Sequence, residues 1–169
     1  EPGSYHVYVT RGTEYSAFTT APGSAVAVTT GLTTNVAAQI APVIDTTDFV
    51  SSDFHVHGIA SADSRVSDTD RVLQFSGEGI DNVIMTDHEA RTDLDPVIST
   101  LGLVPFLAAT VGEEITTFDF GHFNAYPLQQ DRSRPSNGAV DFGGAALPGQ
   151  DFVSLGSFNL SPAQIEAAA

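Results

Sequence analysis

The sequence predicts an α/β domain built on parallel strands and preceded by a small all-β module, and three observations carry that prediction. After Pro42, short apolar runs alternate with capped segments of helical period, the rhythm of strand–helix–strand units and so of a parallel sheet or α/β barrel. Before it, stretches rich in Thr, Val, Ala and Gly alternate with turn signals. The shift near residue 50 divides the chain into residues 1–48 and 49–169.

In residues 1–48, Tyr5, Val7 and Val9 share one face of a predicted strand, and Tyr15–Thr19 makes a second. Pro22-Gly23 marks a turn, with Ala25–Thr29 and Val36–Ile40 following as short strands. Strands this short between turns predict a sandwich-like accessory module, incomplete at its N-terminal side, where Glu1-Pro2-Gly3 reads as the interior of a longer precursor. Nothing in it carries chemistry, and His6 is read as structural.

In residues 49–169, Asp53–His57 is the first predicted strand. Ser67-Asp68-Thr69-Asp70 supplies an N-cap and an acidic first turn before Val72, Leu73 and Phe75, and Gly77 and Gly79 close that helix. Asn82–Met85 is a short apolar strand, and Asp93–Thr100 a helix that tolerates Pro96 in its first turn. Val104–Val111 and Phe118–Ala125 are further predicted strands. From Gln129 onward Gly, Pro, Asn and Ser predict a long loop, and Ser161-Pro162 opens a helix over Ala163–Ala169. The longest apolar run, Leu103–Val111, is far short of the roughly 18 residues a membrane helix needs, so no membrane insertion is expected.

The chain has six Arg, no Lys and 21 Asp plus Glu, a formal net charge of −15. Such a surface repels phosphate backbones, which excludes a nucleic-acid partner, and it disfavours anionic membranes. The acidity suits a protein kept soluble in a salty or extracellular setting, and carboxylates gathered at a metal site would add to it. Acidity, the Thr-rich module and the lack of Cys together lean toward an exported location, periplasmic or extracellular. With no Cys, thiolate zinc sites, iron–sulfur clusters, disulfides and Cys nucleophiles are excluded, and any metal must be held by imidazoles and carboxylates.

On a strand, His55 and His57 of Asp53-Phe54-His55-Val56-His57 point to one side and Phe54 and Val56 to the other, the geometry of a metal clamp. Alone, such a pair is as easily a surface or core pair. Asp53 could orient an imidazole or cap the strand start, and Asp63, in the loop that follows, could cap a turn. Thr86-Asp87-His88-Glu89 and Gly112-Glu113-Glu114 each follow a predicted strand directly, and His122 lies in or beside the next. Four of the five His thus track successive strand ends, where α/β folds place functional loops. His and carboxylate ligands suit zinc, manganese, iron or nickel, and such a site serves hydrolysis best, because a divalent ion brings water toward ionisation near neutral pH. No GxSxG elbow or glycine-rich phosphate loop competes.

The series DFHVHGIASADS, a capped helix, GIDNVIMTDHE, VGEEITT and GHFNAYPL resembles the PHP (polymerase and histidinol phosphatase) family of metal-dependent hydrolases, most closely its carbaryl-hydrolase-like branch. The match covers roughly Ser51–Leu128, more weakly to Ala169. It implies a distorted (β/α)7 barrel with two or three divalent ions (Zn, Mn or Fe) at the strand C-termini, of which this chain holds the first strands. It also implies that His55 and His57 bind one ion, that Glu114 bridges it to a second held with His122, and that Asp63 and His88 serve a third. Glu114 is preferred to Glu113 because it occupies the family's glycine-x-glutamate position. Asp53 and Asp87 would stand behind the ligands, and Arg65 and Arg91 could meet one phosphate of a small-molecule substrate or serve as surface charge. Gly58 replaces the serine usual after the HxH. The family completes its cluster with a later His and an Asp-x-His, and no His follows His122. The expectation is therefore a parent enzyme that hydrolyses a phosphoester or a carbamate or carboxylic ester, its barrel completed by the rest of its own chain or by another subunit. The alternative is a non-catalytic metal-binding or structural module of a larger assembly.

Overall fold

The computed structural model describes residues 1–117, 120–140 and 161–168, and shows a mixed α/β chain of small sheets and few helices. The N-terminal segment holds strands β1 (Gly3–Tyr5), β2 (Tyr8–Val9), β3 (Phe18–Thr19) and β4 (Val26–Val28). They pair as two antiparallel ribbons, β1 with β4 and β2 with β3. The single strand expected through Tyr5, Val7 and Val9 is therefore two, because the chain changes partner at His6-Val7. Val7 is tied to Thr20 instead: its N–H donates to Thr20 Oγ1 at 3.1 Å, and its carbonyl accepts from Thr20 N–H at 3.0 Å. Val36–Ile40 forms no strand. The chain beyond it meets Tyr15 in one isolated bridge at Pro42, a residue with no N–H to extend a ladder.

The second segment begins with β5 (Ser52–Val56), followed by α1 (Asp68–Glu78), β6 (Asn82–Met85), α2 (Asp95–Thr100) and β7 (Ala108–Val111). The three strands form one parallel sheet in the order β5-β6-β7, as two strand–helix–strand units require. In α1, Ser67 Oγ accepts the Asp70 N–H at 3.1 Å, and Gly79 ends the helix in the left-handed region at φ 75°. After Asn82, central strand β6 is apolar, with Val83, Ile84 and Met85 all buried between its two strand neighbours. Val83 and Met85 join Val56, Val72, Leu94, Ile98 and Leu107 in the main core.

The strand expected over Val104–Val111 starts only at Ala108. Pro105 lacks a donor, and the N–H groups of Phe106 and Leu107 turn back to the Leu103 carbonyl. Gly112 then separates β7 from an unforeseen strand, β8 (Glu113–Thr117), which forms an antiparallel hairpin with β9 (Gly121–Ala125). The expected strand Phe118–Ala125 is thus β9, with 118–119 outside the described residues. Of the expected long loop, residues 129–140 hold one 3₁₀ turn, Pro135–Gly138, and residues 141–160 lie outside the described residues. Helix α3 (Pro162–Ala168) sets Ile165 against Ile115 and Val140 in a second, smaller core. No closed barrel forms among the described residues, and no helix among them is long and apolar enough to cross a membrane.

Candidate metal centre

The site lies where β5, β6 and the β8–β9 hairpin meet. His55 is on β5, and His57 follows its last residue. His88 lies just past β6, where an isolated parallel bridge to Glu114 draws the hairpin alongside. In the hairpin, His122 pairs with Thr116 and Asn124 with Glu114. Glu114 and His122 are therefore diagonal neighbours on one face, and Glu114 Oε1 lies 2.6 Å from His122 Nδ1. The four imidazoles form a row with successive ring centroids 5.0, 4.7 and 5.2 Å apart, from His55 through His57 and His88 to His122.

Glu114 is the centre of this row. Its Oε2 lies 2.8 Å from Nε2 of both His55 and His57, and 3.7 Å from His88 Nε2. Asp63 closes the other side, with Oδ1 2.9 Å from His57 Nδ1 and Oδ2 3.5 Å from His88 Nε2. Three overlapping groups result, each with ligand atoms close enough to share one ion: His55–His57–Glu114, His57–Asp63–His88 and His88–Glu114–His122. The donor set, nitrogen and carboxylate oxygen without sulfur, fits a divalent cation. A buried nitrogen supports the fit. His57 Nε2 makes no hydrogen bond, although Glu114 Oε2 is 2.8 Å away, because the ring does not aim it at that oxygen. Two ligands that converge on a common ion face past each other in this way.

Electrostatics favour the ionised carboxylates. The His57 imidazole, then the Ser61 hydroxyl, hold Asp63 well below the usual carboxylate range. Burial alone would raise Glu114, but hydrogen bonds from His55 and His122 outweigh it and leave this carboxyl lowered. Adjacent Glu113 faces the opposite way, as alternation along a strand requires. Fully buried, it accepts from Arg91 Nε at 3.1 Å and from Val140 N–H at 2.8 Å, and its burial pushes its pKa up.

The remaining residues singled out from the sequence are placed as follows. Asp53 meets no imidazole: its Oδ1 accepts the His55 backbone N–H at 3.1 Å, so it secures the strand. Asp87 is fully buried, accepting the Gly58 N–H at 2.5 Å and the Thr92 hydroxyl, and so locks the turn after β5 to the end of β6. Arg91 is unavailable to a substrate, because its guanidinium is buried against Glu113 and donates to the Gln129 carbonyl at 3.0 Å. Arg65 is exposed, with no ion pair among the described residues. His6 stays in the N-terminal segment, its Nδ1 3.4 Å from Thr20 Oγ1.

Three further residues contribute that no motif in the sequence marks. Ser61 Oγ touches His57, Asp63 and the His88 N–H. Thr116 Oγ1 lies 2.6 Å from His88 Nδ1, and Arg71 Nε donates to the His57 carbonyl at 2.7 Å. The signal for Thr116 was its place two residues after Glu114 on one strand face. No protein-family model, curated protein or solved structure matches this chain.

Proposed function

We propose that this chain carries the metal-binding part of a PHP-type hydrolase, one that cleaves a phosphoester or a carbamate or carboxylic ester of a small molecule. The observation that carries the reading is the convergence of four imidazoles, Asp63 and Glu114 from successive strand ends into three overlapping groups. On this reading, β5, β6 and β7 are the first strands of a distorted (β/α)7 barrel, and the groups take two or three divalent ions, zinc, manganese or iron. The ions would supply water activation near neutral pH and charge neutralisation at the ester oxygens. The chain's own part is to hold the ligands. Glu114 belongs to two of the groups, His57 joins the first to the Asp63 side, and His88 joins that side to His122. His55 and His122 have side chains 53% and 49% exposed, so the row is open to a substrate along its rim. Arg91 is committed to Glu113, so exposed Arg65, two residues after Asp63, is the arginine left to meet an anionic group.

The test is elemental analysis of the purified chain beside a His55→Ala, His57→Ala double variant, together with ester turnover before and after chelation. One or more equivalents of metal, lost in the double variant, support the reading. Equal metal in both, or turnover that resists chelation, would sink it. The same open rim also suits a non-catalytic metal module whose imidazoles a partner covers, and metal binding without turnover would select that reading.

A further inference from the structure

Ser61 is buried, and its hydroxyl lies among all three members of one group. Ser61 Oγ donates to Asp63 Oδ1 at 2.7 Å, accepts the His88 backbone N–H at 3.1 Å, and lies 3.2 Å from His57 Nδ1. A hydroxyl has one proton and two lone pairs. With the proton on Asp63 and one lone pair on the His88 N–H, the hydroxyl is committed to two members of the group.

The loop carrying Ser61 is itself held at both ends. Ser61 N–H donates to the Gly58 carbonyl at 3.1 Å, and Ser64 N–H to the Ser61 carbonyl at 3.3 Å. The hydroxyl therefore has a set position, and what it touches is fixed relative to it. We infer that Ser61 is the positioning residue of the His57–Asp63–His88 group: it aims the Asp63 carboxylate and places the start of the His88 turn. The other two groups have no contact with this hydroxyl except through His57 and His88 themselves. The assignment rests on the metal reading proposed above, and it predicts an effect largest at the group that contains Asp63. Groups behind metal ligands commonly change affinity by about 10–100-fold when removed.

The experiment is Zn²⁺ titration of the full metal-free chain against a competing chromophoric chelator. Asp63→Asn identifies the class of site built on Asp63, and His122→Ala identifies the class built on His122. Ser61→Ala is expected to weaken the first class by about 10–100-fold and to weaken the second, which shares only His88 with it, by less. Ser61→Thr and Ser61→Val, alike in volume and different in the hydroxyl, separate hydrogen bonding from packing and decide the matter where Ser61→Ala fails to fold. Tight binding in Ser61→Thr with weak binding in Ser61→Val supports the assignment. Equal weakening in both, or wild-type binding in Ser61→Ala, overturns it while leaving the metal reading intact. A wild-type chain that takes no Zn²⁺ removable by His55→Ala, His57→Ala overturns the metal reading and the assignment with it.

Discussion

His57 Nε2 and Glu114 Oε2 lie 2.8 Å apart without a hydrogen bond between them, while the same oxygen is hydrogen-bonded to His55 Nε2 at the same distance. One carboxylate oxygen thus faces two imidazoles and satisfies one. A cation between them would satisfy both, and Glu114 also reaches His122 through its second oxygen.

Because Glu114 belongs to two of the three groups, Glu114→Gln is expected to remove metal from both and leave only the His57–Asp63–His88 group able to bind. His122→Ala should affect one group. Equilibrium dialysis against Mn²⁺ checks this: equal metal content in wild type and Glu114→Gln would refute the central place of this carboxylate.

The Arg91–Glu113 pair makes the opposite prediction, a change in stability rather than in metal binding. Breaking a buried, hydrogen-bonded pair from one side costs about 3–5 kcal/mol, since the remaining charge is left uncompensated. Glu113→Ala also strips the Val140 N–H of its acceptor. Urea unfolding should show a loss of that size for Glu113→Ala and a much smaller one for the double replacement Arg91→Met, Glu113→Leu. Equal losses in the two would mean that the pair is not a closed unit.

Much of this site was legible in residue order. HxH on a strand, His88 directly after an apolar strand and a glutamate after Gly112 are local patterns, and a short strand's period of two sets which side chains share a face. Asn82–Met85 is bounded as predicted because its apolar run and its flanks agree. Illegible were contacts that depend on which segments become neighbours. Arg91 read as a loop cation near the ligands, and only the docking of Val140 and Gln129 commits it to Glu113. Strand β8 was hidden because Glu113-Glu114 looked like a polar loop. A buried glutamate belongs in a strand only when an arginine and a backbone donor arrive from elsewhere. Ser61 resembled any loop serine until its three partners had converged.

Acid should destabilise the metal-free chain in a way Glu114 partly explains. Its carboxyl is lowered in the folded state, against burial, by hydrogen bonds from His55 and His122. A carboxyl with a folded pKa below its unfolded value, about 4.3 for Glu, stabilises fully above that value and gives the contribution up as pH falls through the folded one. Thermal melts of the apo chain from pH 5 downward should therefore fall more steeply for wild type than for Glu114→Gln. Parallel curves would show that the imidazoles do not hold this carboxylate ionised.

Gly112, at the joint of β7 and β8, gives the sharpest packing test. A Cβ there would lie 2.8 Å from the Met85 carbonyl oxygen and 2.9 Å from that of Ala125, so backbone blocks it on both sides. Met85 ends the strand that leads to His88, and Ala125 ends the strand that carries His122. One methyl at this joint must push the two halves of the ligand row apart. Overpacking of this kind costs about 1–3 kcal/mol, and Gly112→Ala should lower both the urea midpoint and the metal content. Gly58→Ala is the control in the same region. Its Cβ meets only side-chain ends, Met85 Cε at 3.0 Å and Asp68 Oδ1 at 3.3 Å, and a methionine methyl can move aside. Gly58→Ala should therefore cost less and keep its metal. If Gly112→Ala unfolds with wild type and binds metal with wild-type affinity, the close approach of β6 and β9 at this joint is refuted.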